Sequence, residues 1–339
     1  AWADQHVRSW HKRDYQARVL ERAALVDAAR KRDWSQREEM FSYILRPDRD
    51  EIYATALIRL LESCPDASKW QVLRKALKDP SPLVRSAAAT ALGAHPSTEN
   101  VAALVSVLSD DYRIVRISAG AALGTYPGTL LEPGAAARLR NAVREYEESL
   151  RSQPDSYAAH YNLGNHYFNR GQLDDALQEF KIAMRLEPSF LPPYVNAALI
   201  CARQKRLQEA EALLRRAHQL DPKSPEVNFN LGLLLAEKGD LGGAEQCLRA
   251  ALQADPQLAR AAYNLAVIVS RTNLDEAIEL CARAAAAHPE EPRYAYTEAF
   301  YRLQKGDHAA AARTLQALLQ RHPQHTDART LLQQIQQTR

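Results

Sequence analysis

Five prolines divide the second half of the chain into near-equal periods. Pro188, Pro222, Pro256, Pro289 and Pro323 are separated by 34, 34, 33 and 34 residues, and the same grammar stands before each. Small residues occur twelve positions earlier (Ala176, Ala210, Ala244, Ala277, Ala311) and five positions earlier (Ala183, Ala217, Ala251, Ala284, with Leu318 in the fifth period). A third small position comes at Gly164, Ala198, Gly232, Ala266 and Ala299, and a glycine or polar substitute follows at Gly171, Lys205, Gly239, Asn273 and Gly306. Each period therefore reads as two helices joined by a short turn, the second stopped by a proline that cannot continue it. One helix pair cannot bury its apolar face alone, so neighbours must stack, with small residues where backbones approach. The expected fold is all-α, an α-solenoid.

The totals agree with an array. At 339 residues the chain exceeds one ordinary compact core, and it contains only 12 glycines. A net charge of +3 gives no strong pull towards nucleic acid or a membrane surface, and no apolar run approaches the ~20 residues a membrane span needs. The opening AWADQHVRSW reads as neither a signal peptide nor an initiator start, so the sequence is expected to begin inside a longer product or after processing.

Cys64, Cys201, Cys247 and Cys281 form no CxxC pair, zinc spacing or CxxCH, and read as free thiols in packed interfaces. No HExxH, GxSxG, P-loop or GxGxxG motif occurs. His322 and His325 around Pro323 are a weak metal signal, and Glu38-Glu39, Asp174-Asp175 and Glu290-Glu291 read as helix starts or turns. A non-enzymatic chain is expected, with no catalytic residue, no metal and no cofactor of its own.

The 34-residue grammar resembles the tetratricopeptide repeat (TPR) family over residues 155–323, as five units. AVREYEESLRSQP (142–154) reads as a half unit before them, within a connector and half-repeat region at 127–154, and residues 324–339 as a polar-faced capping helix. Two departures stand out. The fourth unit is one residue short at SRTNLDEA, which predicts a tighter turn. In the fifth, Glu298 occupies a position that is Leu or Ala elsewhere, so it is expected to be partly exposed or to meet Arg302 one turn on.

Upstream, PLVRSAAATALG (82–93) recurs as RIVRISAGAALG (113–124), with DEIYATALIRLL (50–61) a weaker copy. Asp79, Asp110 and Asp111 precede the helices, placed to cap them. This pattern resembles HEAT-type repeats over 50–126, with TYPGTLLEPG (125–134) as connector. Residues 1–49 read as a less regular N-terminal helical segment carrying Trp2, His6, Trp10 and His11.

The order WAD-x-x-V-x-x-W-H-x-x-x-Y, then HEAT-like, then TPR-like segments is similar to the tail that follows the last haem-binding motif in certain multihaem c-type cytochromes. That resemblance implies a scaffold in an electron-transfer system on the periplasmic or extracellular side, the cytoplasm remaining open. Haem c would belong to an upstream or partner region, with His6 or His11 near a haem edge or as an axial ligand. The implied partner is a multihaem cytochrome module or another copy of this chain. The alternatives are a free-standing adaptor for complex assembly and the scaffold part of an oxidoreductase.

A groove is the remaining candidate site. Asn162, Asn196, Asn230 and Asn264 recur at 34-residue intervals, with Thr297 in the fifth unit. Each is preceded by Tyr161, Val195, Phe229, Tyr263 or Tyr296, and Asn165 shares the first helix. First helices should line one concave face, spaced about 8–10 Å apart, while an extended peptide rises about 3.4 Å per residue. Each amide would then meet a bound backbone about every third residue, offering donor and acceptor without reading sequence, and the rings would add apolar area. The competing role for the Asn row is bridging adjacent helices. TPR proteins that clamp a terminal carboxylate carry basic residues where this chain has Tyr161, Glu226 and Asn230, so that specificity is not expected.

Overall fold

The computed structural model describes residues 15–337, which contain nineteen α-helices and no strand. His6 and His11, with Trp2 and Trp10, lie outside the described residues. The chain divides into two compact units, residues 1–176 and 177–339.

The first unit holds α1 (Tyr15–Arg30), α2 (Arg37–Leu45), α3 (Glu51–Leu60), α4 (Lys69–Ala76), α5 (Pro82–Gly93), α6 (Thr98–Ser106), α7 (Arg113–Ala122), α8 (Pro133–Arg151) and α9 (Tyr157–Asn169). One core runs through it from Leu25 to Val143. The segment before residue 50 is therefore not a separate element, because Leu25, Met40, Phe41 and Ile44 share that core with Leu57, Leu92 and Leu104. The far boundary also differs from the expected break at residue 154. Leu139, Ala142 and Val143 of α8 belong to this core, and α9 packs on α8.

The Val-Arg motif explains itself here. Arg85 forks onto both oxygens of Asp110 at 2.8 and 2.9 Å, and Arg116 onto Glu145 at 2.8 and 3.0 Å. Arg49 pairs with Asp79 through a single nitrogen, its Nε donating instead to the Ile44 carbonyl at 2.9 Å. Arg85 also donates to the carbonyls of Asp79 and Pro80, and Arg116 to those of Asp110 and Asp111. The aspartates do less capping than expected: Asp79 and Asp110 accept from the N–H of Ser81 and Tyr112, just ahead of α5 and α7. Their larger role is to receive the preceding repeat's arginine, at Asp110 through a bidentate geometry lysine cannot reproduce.

In the second unit, α10 (Leu173–Leu186) crosses the division, followed by α11 (Pro192–Arg203), α12 (Leu207–Leu220), α13 (Pro225–Glu237), α14 (Leu241–Ala254), α15 (Ala259–Val269), α16 (Leu274–Ala287), α17 (Pro292–Gln304), α18 (His308–Arg321) and α19 (Thr326–Gln337). Every second helix ends two residues before its proline. Ala210, Ala244, Ala277 and Ala311 are fully buried, as are Ala217, Ala251 and Ala284. At Gly232 a Cβ would stand 3.2 Å from the Ala244 carbonyl oxygen and 2.9 Å from Leu248 Cγ, so the approach of α13 to α14 requires glycine.

Four of the five inter-helix turns use one left-handed residue: Gly171 (φ 77°), Lys205 (φ 61°), Gly239 (φ 87°) and Gly306 (φ 88°). The following N–H reaches back five residues, as from Asp240 to Leu235 O at 2.9 Å, which ends the first helix in a Schellman motif. The fourth turn corrects the expected alignment. Asn273 is not the left-handed residue but the N-cap of α16, with φ −144° and its side chain accepting from Glu276 N–H. The missing residue is the left-handed one, and Asn273 N–H bonds only four residues back, to Val269 O at 2.8 Å.

Lys205 holds this geometry at the cost of a Cβ, and its pairing with Glu237 is largely exposed. Lys205→Gly should stabilise the protein by about 0.5–1 kcal/mol, seen as a higher thermal midpoint; an unchanged or lower midpoint would show that the turn carries no strain.

Glu298 is not exposed, at 8% of its surface. It accepts from Arg302 Nε at 2.8 Å and from the Thr314 hydroxyl at 3.3 Å, so the charge is buried with two donors rather than left alone. α19 closes the unit by burying Ala328 and Ile335 against the core that holds Ala299 and Leu315.

Candidate functional site

The first helices of the second unit, α11, α13, α15 and α17, carry the repeated polar row. Asn196, Asn230, Asn264 and Thr297 are each half-buried. In Asn230 the side-chain Nδ2 donates to Glu226 O at 2.8 Å, and in Asn264 to Arg260 O at 2.7 Å, both one turn back in the same helix. These amides therefore do not bridge neighbouring helices. Asn230 and Asn264 each keep one N–H and the Oδ1 without a protein partner among the described residues, and each sits where the helix is part-exposed. The other predicted residues, Tyr161, Asn162 and Asn165, lie on α9 in the first unit. There Asn162 is exposed and the other two are half-buried. The expected row of four asparagines is thus divided between the two units.

The aromatic row serves packing. Phe229 is only 5% exposed, and the Arg260 guanidinium lies 5.0 Å from its ring centroid. Tyr263 packs on Tyr294 at 5.1 Å, and Tyr296 stacks on His325 at 5.4 Å. Each ring reaches from one first helix to residues of the next repeat, so Phe229 offers a partner almost no surface. The physical reason is register: Phe229, Tyr263 and Tyr296 each face the following repeat.

A second, apolar row stands beside the Asn row. Three residues after the Asn positions stand Leu199, Leu233, Val267 and Phe300, one helical turn on and on the same face. Leu199, Val267 and Phe300 are 40%, 43% and 42% exposed, and Leu233 is half-buried. Val195, Leu199, Asn230, Leu233 and Glu237 border a depression of about 160 Å³ between α11 and α13. The signal was available as four large apolar residues at shifts of 34, 34 and 33. Exposed Arg260 and Arg293 begin α15 and α17, one turn before Asn264 and Thr297.

The other chemistry-bearing candidates are absorbed by packing. Cys64, Cys201 and Cys281 are buried and Cys247 half-buried, all as free thiols. Burial, with the Glu298 charge behind it, pushes the Cys281 thiol up to about 12, far from thiolate reactivity at neutral pH. His322 contacts the Pro289 carbonyl oxygen at 2.9 Å, while His325 Nδ1 accepts from Ala328 N–H at the start of α19. No group of three His, Cys, Asp or Glu that could hold a metal occurs among the described residues. No helix among them is long and apolar enough to cross a membrane.

Comparison with known proteins agrees with this geometry. Residues 38–124 match the model of HEAT repeats, and residues 202–268, 134–189 and 296–332 match two models of the tetratricopeptide repeat. No curated protein matches the chain. Among solved structures, the hetero-tetramer Cut9-Hcn1 of the APC/C aligns at a TM-score of 0.50 and 17% identity, covering 84% of this chain and 55% of that one. YrrB, a TPR protein with an unusual peptide-binding site, aligns at 0.45 and 18%, covering 54% and 95%. A MamA fragment from Desulfovibrio magneticus RS-1 aligns at 0.44 and 24%, covering 50% and 97%. At these identities the likeness is one of fold. The chain is an α-solenoid of HEAT-like repeats followed by tetratricopeptide repeats, a scaffold for protein–protein interaction.

Proposed function

We propose that the chain binds an extended segment of a partner protein along the first-helix face of α11, α13, α15 and α17. The carrying observation is the paired rows: half-satisfied amides at Asn230 and Asn264, each one turn from an exposed or half-exposed apolar side chain. An amide with one free N–H and a free oxygen matches a peptide group. The apolar row then takes a side chain from about every third residue of the strand, given the spacing of packed helices. Arg260 and Arg293 favour acidic residues in the ligand near that end of the face.

The test is selection of dodecamers from a random peptide library on the full chain, followed by titration calorimetry. Selected peptides should carry apolar residues at intervals of about three. Leu233→Asp with Val267→Asp should weaken them at least thirtyfold, and Asn196→Ala with Asn230→Ala at least fivefold, with the thermal midpoint of the Asn variant unchanged. Retained affinity in both double variants would place the binding elsewhere.

The finer assignment, to a multihaem c-type cytochrome system outside the cytoplasm, is supported by the order of its segments and by the tryptophan- and histidine-bearing start. Several CxxCH motifs in the coding sequence ahead of Ala1 would establish it, and an unrelated domain there would leave the adaptor reading.

A further inference from the structure

A cleft of about 720 Å³ lies in the first unit. One stripe of α8 forms its floor: Ala136, Leu139, Arg140, Val143, Arg144 and Glu147 recur at helical spacing on a single face. The connector closes one side with Gly124, Thr125, Tyr126, Gly128 and Thr129, and Asn169 and Arg170 at the end of α9 close another.

Charge on this lining is unbalanced. Arg140 and Arg170 are exposed and pair with no carboxylate among the described residues. Arg144 has a loose, solvent-screened contact to Glu148 at 3.9 Å and donates to Asn141 Oδ1 at 3.3 Å. The single carboxylate, Glu147, is already taken: Arg151 donates to it at 3.1 Å and buried His166 contacts it at 3.2 Å. Three arginines thus line a cleft whose wall also includes the apolar, buried Leu139 and Val143. Hydroxyls of Thr125, Tyr126 and Thr129 and the Asn169 amide complete the lining. The volume lies in the range of small-molecule sites, which combine an apolar wall with a few converging polar groups.

We propose that this cleft binds a small organic anion, an apolar body carrying a phosphate or carboxylate group. The guanidinium forks of Arg140, Arg144 and Arg170 take the anionic end, and the Leu139–Val143 wall takes the body.

The probe is 1-naphthyl phosphate, titrated calorimetrically into the full chain beside 1-naphthol and inorganic phosphate. The expected result is one saturable site for the naphthyl phosphate, at least tenfold tighter than for either half alone and weakened by added salt. Arg140→Glu with Arg170→Glu should reduce that affinity at least tenfold. Gly128→Trp gives an independent steric block, because a Cβ at Gly128 meets nothing within 4 Å and the residue lines the cleft. Both variants should keep the parent thermal midpoint. The proposal is overturned if no saturable binding occurs, if either half binds as tightly as the whole, or if binding survives both variants.

Discussion

Gly120→Val should unfold the first unit at markedly lower urea, with a loss of about 3 kcal/mol. Gly120 lies in α7 against α8, and a Cβ built on it would stand 2.6 Å from the Ala142 carbonyl carbon, 2.7 Å from its oxygen and 2.9 Å from Val143 N. All three are backbone atoms, so no side-chain rotation relieves the clash and α8 itself must move. The preceding copy of this motif carries Ala89 at the equivalent place, fully buried, so the second copy has exchanged a methyl group for a closer approach. Gly120→Ala should cost less, because alanine recovers about 1 kcal/mol of helix propensity.

Trp34 and Trp70 lie in the first unit and no tryptophan occurs in residues 177–339, so tryptophan fluorescence follows the first unit rather than the second. Gly128→Ala is the matched control and should shift the transition by less than about 0.5 kcal/mol, since its Cβ meets open space. If the Gly120 and Gly128 variants unfold alike, the close helix contact is not what holds α7 on α8.

The repeat grammar carried most of the fold because it is written in residues whose reasons are local or strictly periodic. A proline stops a helix wherever it stands, and Ala210, Ala244, Ala277 and Ala311 are small because the same contact recurs. What escaped is what depends on a partner elsewhere in the chain. Lys69 looks like an ordinary surface lysine in KWQVLRKALK, yet it is buried and its Nζ donates to the carbonyls of Leu61 and Glu62 at 3.0 Å. Asn228 is fully buried between His218 Nδ1 and the Pro222 carbonyl, while Asn230, two residues on, is half-exposed; composition alone does not separate them.

The candidate face shows the same division. The Asn row follows directly from the period, but the role of the preceding rings does not, because Phe229 and Tyr263 are committed to the next repeat. Leu199, Val267 and Phe300 read as core residues in any helical pattern. Only the packed structure shows that their turn of the helix is left uncovered. Likewise the cationic cleft draws on residues 124 to 170, a connector, a helix face and a helix end, which no single motif unites.

The arginine ladder of the first unit supplies the second large effect: Arg85→Met should cost about 3 kcal/mol. Arg85 and Asp110 are nearly buried, with side chains 12% and 11% exposed, and they meet through two parallel hydrogen bonds. Removing the guanidinium leaves Asp110 desolvated with little beyond the Tyr112 N–H, and strands the carbonyls of Asp79 and Pro80 that Arg85 also served. Arg85→Lys keeps the charge without the fork and should recover about half of the loss. Acid should erase the difference. Burial works to raise the Asp110 carboxyl, but the hydrogen bonds from Arg85 and Tyr112 and the charges of Arg85 and Arg116 outweigh it and hold it below its usual 3.8. A carboxylate depressed in the folded state contributes stability that is fully present above its unfolded value and lost as pH falls through the folded one. The gap between parent and Arg85→Met, followed by tryptophan fluorescence in urea, should therefore stay constant from pH 8 to about pH 5 and close below about pH 4. A gap under 1 kcal/mol at neutral pH would place this pair with solvent-screened surface bridges. The repeat-to-repeat coupling of the first unit would then rest on its apolar core alone.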